Sequence, residues 1–255
     1  CVKLNCEPTG QFAHNPEPLP SHLVDLCRTV AEEKADLGIA VDPDVDRLAL
    51  VCEDGSFFGE EYTLVSVADY VLSKRPGPTV SNLSSSRALR DVTEARGCTY
   101  SASAVGEVNV TAEMKRTGAV IGGEGNGGVI VPDLHYGRDA LIGIALFLSS
   151  IAESGKKVSA LRESLPRYSI SKNRIELSDK DLIDKVLEEV KKAYASERIT
   201  DIDGVKIDFD RERMWVHLRR SNTEPIIRVY SEAEDEAGAE RIATDVISMV
   251  KTIIG

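Results

Sequence analysis

The 255-residue sequence predicts an α/β fold in three parts. These are the end of one α/β domain, a complete, mainly parallel α/β domain with helices on both faces, and a C-terminal α+β domain with a mainly antiparallel sheet. Three observations predict it. From residue 56 to 166, short runs rich in branched apolar residues alternate with helical patterns of ten residues or more, as crossovers in a parallel sheet require. After Pro166 that alternation stops, and closely spaced strand-like runs stand between two amphipathic helices. Ahead of residue 56 there is one helical pattern and one strand pair, too little for a domain core, so the chain reads as opening on the tail of a unit.

Taken in order, residues 1–19 are polar and proline-rich. Pro20 to Glu33 has helical spacing, with Ser21 as the expected cap. Leu37–Val41 and Leu48–Cys52 read as strands, and Asp54-Gly55 signals a turn that closes a first region, 1–55. In the region 56–166, helices are predicted over 61–72, 86–96, 107–117 and 139–154, with strands at 79–83, 99–102 and 119–122 and a short helix at 158–165. Ser84, Ser85 and Ser86 read as a turn and helix cap. The region 167–255 holds strands at 168–177, 205–209, 214–218 and 226–230, a charged helix at 179–194 and a closing helix at 235–254.

The net charge of −11, from 31 basic and 42 acidic residues, argues against a nucleic-acid or anionic-membrane surface. Five scattered cysteines suit a reducing compartment, and no apolar run is long enough for a membrane helix, so the expected location is the cytoplasm. An anion bound to such an acidic chain must be held by local arginines or backbone amides.

Four stretches carry chemistry. In Asp42-Pro43-Asp44-Val45-Asp46-Arg47, strand-like alternation sends three carboxylates to one side, where they repel one another unless a hard cation sits among them. Arg47 is a phosphate partner beside them. In Gly122-Gly123-Glu124-Gly125-Asn126-Gly127-Gly128, Glu124 and Asn126 stand among glycines without a lysine, which suits sugar hydroxyls better than phosphate. In Arg219-Arg220-Ser221-Asn222-Thr223-Glu224-Pro225, with Arg228 beyond, guanidinium forks, hydroxyls, an amide and turn N–H groups suit a phosphate dianion. In Leu134-His135-Tyr136-Gly137-Arg138-Asp139, His135 and Arg138 are candidates to touch substrate, or Asp139 caps a helix and Arg138 is solvated. His14, His22 and His217 read as structural or surface residues.

An aspartate loop of the type D-x-D-x-D-R, a G-E-x-x-G-G loop and an R-x-S-N-T-E-P loop, in this order, resemble the α-D-phosphohexomutases over nearly the whole chain. The resemblance implies Mg²⁺ on Asp42, Asp44 and Asp46, with Arg47 assisting. It implies sugar selection by Glu124 and Asn126, and a phosphate clamp of Arg219, Ser221, Asn222 and Thr223. The implied reaction moves phosphate between the 1- and 6-positions of a hexose through a phosphoserine and a hexose 1,6-bisphosphate intermediate. Residues 1–55 would then be the end of the family's second domain, 56–166 its third and 167–255 its fourth. The phosphoserine loop of the first domain is absent, since Ala13 stands where Phe12-Ala13-His14-Asn15-Pro16 would need the serine. This portion alone is therefore expected to be inactive. Two further departures concern the site. Glu107, Val108 and Asn109 follow Val105-Gly106 where a basic residue is usual, and Gly128 ends the sugar loop where histidine is common, so His135 is the expected substitute.

Two alternatives remain open from the residues. Val41-Asp42-Pro43-Asp44-Val45 also resembles the loop of haloacid-dehalogenase-type phosphatases, which would make Asp42 a nucleophile. A sugar-phosphate-binding fragment without catalysis is the other. The expected partner in each case is a small phosphosugar.

Overall fold

The computed structural model describes residues 1–176, 182–221 and 225–254, which fall into two compact units. The first comprises residues 1–102 and 106–166, the second 103–105 and 167–255.

The first unit begins with a 3-10 turn, Pro20–His22, and helix α1, Val24–Glu33. The expected cap, Ser21, lies inside the 3-10 turn, and α1 starts without a side-chain cap. Strands β1 (Leu37–Val41) and β2 (Leu48–Cys52) pair antiparallel from Leu37↔Cys52 to Val41↔Leu48. All five residues of β2 are buried, in keeping with its unbroken apolar run. Helix α2 (Glu60–Lys74) follows, then β3 (Thr79–Asn82), α3 (Ala88–Ala95), β4 (Tyr100–Ser103), α4 (Glu107–Thr117), β5 (Ile121–Glu124), β6 (Gly128–Ile130), α5 (Ala140–Ser154) and α6 (Val158–Glu163).

The sheet order is β4-β3-β5-β6, with β3 and β5 parallel and β6 returning antiparallel to β5. Helices cover both faces. Gly122 on β5 abuts Met114 of α4, whereas its neighbour Gly123 abuts Leu64 of α2. Met114 packs with Val80, Val110, Ala119 and Ile130, and Phe58 meets Phe147 edge-on with ring centroids 5.2 Å apart. The carboxyl ends of β3 and β5, Asn82 and Glu124, come together, which is where parallel α/β sheets place their ligands.

The second unit is a five-stranded antiparallel sheet of order β7-β11-β10-β9-β8, formed by Ser169–Glu176, Ile226–Ala233, Met214–Arg220, Val205–Phe209 and Arg198–Thr200. One face carries Val205, Ile207, Val216, Leu218, Ile227 and Val229. It buries them against Ile183, Val186 and Val190 of α7 (Leu182–Ala193) and Ile242, Val246 and Val250 of α8 (Glu236–Ile254). The expected start of α7 at Asp179 lies outside the described residues. Strands β6 and β8 are additions to the sequence expectation.

Candidate active site

The three aspartates do converge, but a turn brings them together rather than strand alternation. Val45 takes a left-handed φ of 59° and donates its N–H to the Asp42 carbonyl at 3.1 Å. Asp42, only 2% exposed, then faces back along the turn. Its Oδ1 accepts the N–H groups of Asp46 (3.1 Å) and Arg47 (3.0 Å), and its Oδ2 accepts Arg47 Nε at 2.7 Å. Burial pushes the Asp42 carboxyl up, but the bonds from Arg47 and Asp46 outweigh it and hold the group below its usual range. A carboxylate with both oxygens so engaged is poorly placed to attack phosphorus, which argues against the nucleophile reading of Asp42.

Asp42, Asp44 and Asp46 each offer an oxygen within 4.8 Å of the others. Asp46 Oδ1 is buried and makes no hydrogen bond. Burial, the nearby Asp42 and Asp44 and only partial compensation from Arg138 push the Asp46 carboxyl up to about 6. Three hard carboxylate ligands within reach of one another, with a buried Asp46 oxygen that makes no hydrogen bond, fit a divalent cation such as Mg²⁺.

The glycine-rich loop is clipped directly to this turn. Leu48 donates its N–H to Gly127 O at 3.0 Å, and Arg47 bridges to Gly128. Gly127 has φ +89°, and a Cβ there would stand 2.4 Å from Leu48 O, so glycine is required by both backbone and space. Glu124 is buried, and three protein donors already hold it. Oε1 accepts Asn82 Nδ2 (2.7 Å) and Gly106 N (3.1 Å), and Oε2 accepts Arg138 Nη1 (2.8 Å). Asn126 uses Oδ1 to accept Gly128 N at 3.2 Å, leaving its amide N–H groups without a partner among the described residues.

Arg138 is not solvated. Besides Glu124 it pairs with Asp46 Oδ2 and lies 3.3 Å from Glu107 Oε2, while its own N–H donates to Glu107 Oε1 at 3.1 Å. His135 makes its hydrogen bond elsewhere. Its Nε2 meets Asp139 Oδ2 at 3.0 Å, and its side chain is half exposed. Asp139 caps α5, its Oδ1 accepting Leu141 N (2.7 Å) and Ile142 N (3.1 Å). The space over Gly128, where His135 was the expected substitute, is filled by Arg138 instead: a Cβ on Gly128 would lie 2.4 Å from Arg138 Cδ.

Asn82, Ser85 and Glu107 complete the site and were not singled out as site residues by sequence. Asn82 Oδ1 accepts Ser84 N (2.9 Å) and Ser85 Oγ (3.0 Å), and Ser85 Oγ in turn accepts Gly125 N at 2.9 Å. The position of Asn82 at the carboxyl end of a parallel strand is the signal that could have found it. Ser86 does cap locally, its Oγ accepting Ala88 N at 3.1 Å.

In the second unit, Arg219 and Arg228 are direct partners across β10 and β11. Arg219 Nη1 lies 3.7 Å from Asp203 Oδ2, and Arg228 Nη1 donates to Tyr230 OH at 3.4 Å. Ser221 is buried and closes the strand pair, donating its N–H to Ile226 O at 3.0 Å. Asn222 and Thr223 lie outside the described residues.

Comparisons with known proteins match this layout part by part. Residues 1–55 match a model of the phosphoglucomutase/phosphomannomutase alpha/beta/alpha domain II, 59–168 that of domain III, and 174–249 that of the C-terminal domain. A probable phosphoglucosamine mutase of Methanopyrus kandleri is 34% identical over 258 residues, covering 99% of this chain and 56% of that protein. A phosphoglucomutase/phosphomannomutase of Thermococcus kodakarensis is 39% identical over 243 residues, covering 93% and 52%. The crystal structure of a phosphoglucomutase/phosphomannomutase family protein from Burkholderia thailandensis superposes with a TM-score of 0.80 at 26% identity, covering 94% of this chain and 52% of that one. The chain thus spans about half the length of the curated relatives it matches.

Proposed function

Because this chain belongs to the phosphoglucomutase/phosphomannomutase family of α-D-phosphohexomutases, we propose that it forms the metal, sugar and phosphate sites of a phosphohexose mutase. The reaction moves phosphate between the 1- and 6-positions of a hexose, with hexose 1,6-bisphosphate as the intermediate. Phosphoglucosamine and phosphomannose are the leading substrates, in line with the names of the two relatives above. The observation that carries the reading is the aspartate turn, with its three convergent carboxylates and the unbonded buried oxygen of Asp46, joined to a glycine-rich loop bearing Glu124 and Asn126.

Mg²⁺ on Asp42, Asp44 and Asp46 would supply charge neutralisation for a transferring phosphoryl group. Arg47, bonded to Asp42 Oδ2, would keep that carboxylate in place beside the cation. Asn126 offers free amide N–H groups to sugar hydroxyls, and Glu124 fixes the loop that carries them. Arg219, Ser221, Asn222, Thr223 and Arg228 form the clamp for the substrate's nonreacting phosphate. The phosphoserine that shuttles the group lies outside these residues in this reading. We place the protein in the cytoplasm: its five cysteines are free, and no helix among the described residues is long and apolar enough to cross a membrane. The test is interconversion of 1- and 6-phosphates of glucosamine, mannose and glucose by a polypeptide that carries the phosphoserine domain together with these residues. Turnover on at least one pair is expected, and none on any pair would overturn the reading.

A further inference from the structure

We propose that Arg138 is a built-in counter-cation of the aspartate loop, sharing the Asp46 carboxylate with the divalent cation and so setting how tightly that cation is held. The inference rests on the assignment of Asp42, Asp44 and Asp46 as cation ligands.

Three elements each deliver one carboxylate to this guanidinium: Asp46 from the turn after β1, Glu124 from the end of β5, and Glu107 from the first residue of α4. The arginine side chain is 17% exposed, and Asp46 and Glu124 are 16% and 8% exposed, so solvent screens the cluster weakly. Six acids, Asp42, Asp44, Asp46, Glu107, Glu124 and Glu17, stand around the two guanidinium groups of Arg47 and Arg138. Arg47 makes its hydrogen bond to Asp42 and lies farther from Asp46 Oδ1, at 3.6 Å, and from Glu17, at 3.5 Å. The first turn of α4 offers only Glu107, its basic residues standing in the last turn. Arg138 is the guanidinium that hydrogen-bonds both Asp46 and Glu124, with Glu107 3.3 Å from its Nε.

The Asp46 carboxylate is divided. Oδ2 is hydrogen-bonded by Arg138, whereas Oδ1 makes no hydrogen bond and has Arg47 Nε at 3.6 Å. A guanidinium on one oxygen withdraws negative charge from the carboxylate and repels a divalent ion at the other. Removing Arg138 leaves the acids to repel one another, and a divalent ion then relieves more repulsion on binding. Charge and orientation oppose here, and charge is the larger effect because Asp42 is held without Arg138, by Arg47 and the N–H groups of Asp46 and Arg47. The path of the arginine is built into the backbone: its stem crosses Gly128, where any Cβ would collide with Cδ. Arg138 is thus a positioning residue, and it links cation affinity to the loop that carries Glu124.

The experiment titrates Mn²⁺ into this chain and reads free Mn²⁺ by electron paramagnetic resonance. Wild type, Arg138→Met, Arg138→Lys and Gly128→Ala are compared, with thermal unfolding by far-UV circular dichroism in EDTA and in Mg²⁺. Arg138→Met should tighten Mn²⁺ by roughly ten-fold or more, and Arg138→Lys, which keeps the charge, should stay within about three-fold of wild type. Gly128→Ala, which displaces the side chain without deleting it, should move toward Arg138→Met. In EDTA Arg138→Met should melt below wild type, and Mg²⁺ should close most of that gap. Mn²⁺ bound no more tightly by Arg138→Met and Gly128→Ala than by wild type would overturn the proposal. A melting gap equal in EDTA and Mg²⁺ would do the same, since it would show a purely structural role. Absence of Mn²⁺ binding by wild type would overturn the cation assignment itself, and this inference with it.

Discussion

His217 makes the second unit sensitive to acid in a calculable way. It lies on β10 between Lys206 on β9 and Tyr230 on β11, and its Nε2–H donates to Asp203 O at 2.6 Å. Burial pushes its pKa from 6.5 down to about 4; the bond to Asp203 opposes this, and the charges of Lys206 and Arg219 add to it. The unfolded chain thus binds the proton more readily than the folded one. The stability involved is fully present above about pH 6.5 and is lost progressively as pH falls toward 4. Between pH 7 and pH 4 the loss amounts to about 3 kcal/mol. Trp215, the chain's single tryptophan, stands two residues away on the same strand and is fully buried, so its fluorescence reports unfolding of this unit. Urea titrations of wild type and His217→Gln at pH 7, 5.5 and 4 isolate the effect, because the other titrating groups are common to both proteins. The difference in unfolding free energy between the two should change by about 3 kcal/mol across that range, against wild type at the acid end. Parallel pH curves for the two proteins would refute the reasoning.

Asn82→Ala removes the amide that ties Glu124 to the Ser84–Ser85 turn, one charged and two neutral hydrogen bonds, at a cost of about 3–5 kcal/mol to the first unit. Far-UV circular dichroism in urea measures it, and a loss below about 1 kcal/mol would contradict the network. Glu124→Ala should degrade discrimination among hexose phosphates, by an amount on the order of a charged hydrogen bond, about 1.5–3 kcal/mol, while leaving inorganic phosphate affinity intact. Comparing kcat/KM across the sugars with phosphate competition separates the two, and the opposite pattern would remove Glu124 from the sugar site.

The aspartate turn was legible because its signal is local: three carboxylates between two apolar runs, β1 and β2, which pair as expected. The physical reason for convergence was not legible, since it depends on Val45 adopting a left-handed backbone that no branched residue advertises. Strand β6 escaped notice because three residues cannot display a period, and its partner β5 is Ile-Gly-Gly-Glu, with almost no side chains to alternate. The same holds for the three-residue β8. Arg138 read as either solvated or substrate-facing because its partner Asp46 is 92 residues away. Asn82 and Glu124, 42 residues apart, meet only once β3 and β5 are laid side by side. Spacing along a chain carries no record of such pairs. Arg219 and Arg228, by contrast, stand close in sequence on two strand-like runs, and the ladder sets them opposite one another.

The central claim is that Asp42, Asp44 and Asp46 form the cation site of a phosphoryl-transfer centre. Phosphorus NMR tests it most directly, because hexose 1-phosphate and 6-phosphate give separate resonances whose exchange can be followed in one tube with Mg²⁺. The comparison is between wild type and Asp44→Asn, each in a polypeptide that includes the phosphoserine domain. Asp44 is exposed and makes no hydrogen bond or ion pair among the described residues, so the substitution removes a proposed cation ligand with little cost to the fold. The account predicts interconversion by wild type and a loss on the order of 100-fold or more in the variant. Equal rates for the two proteins would contradict it.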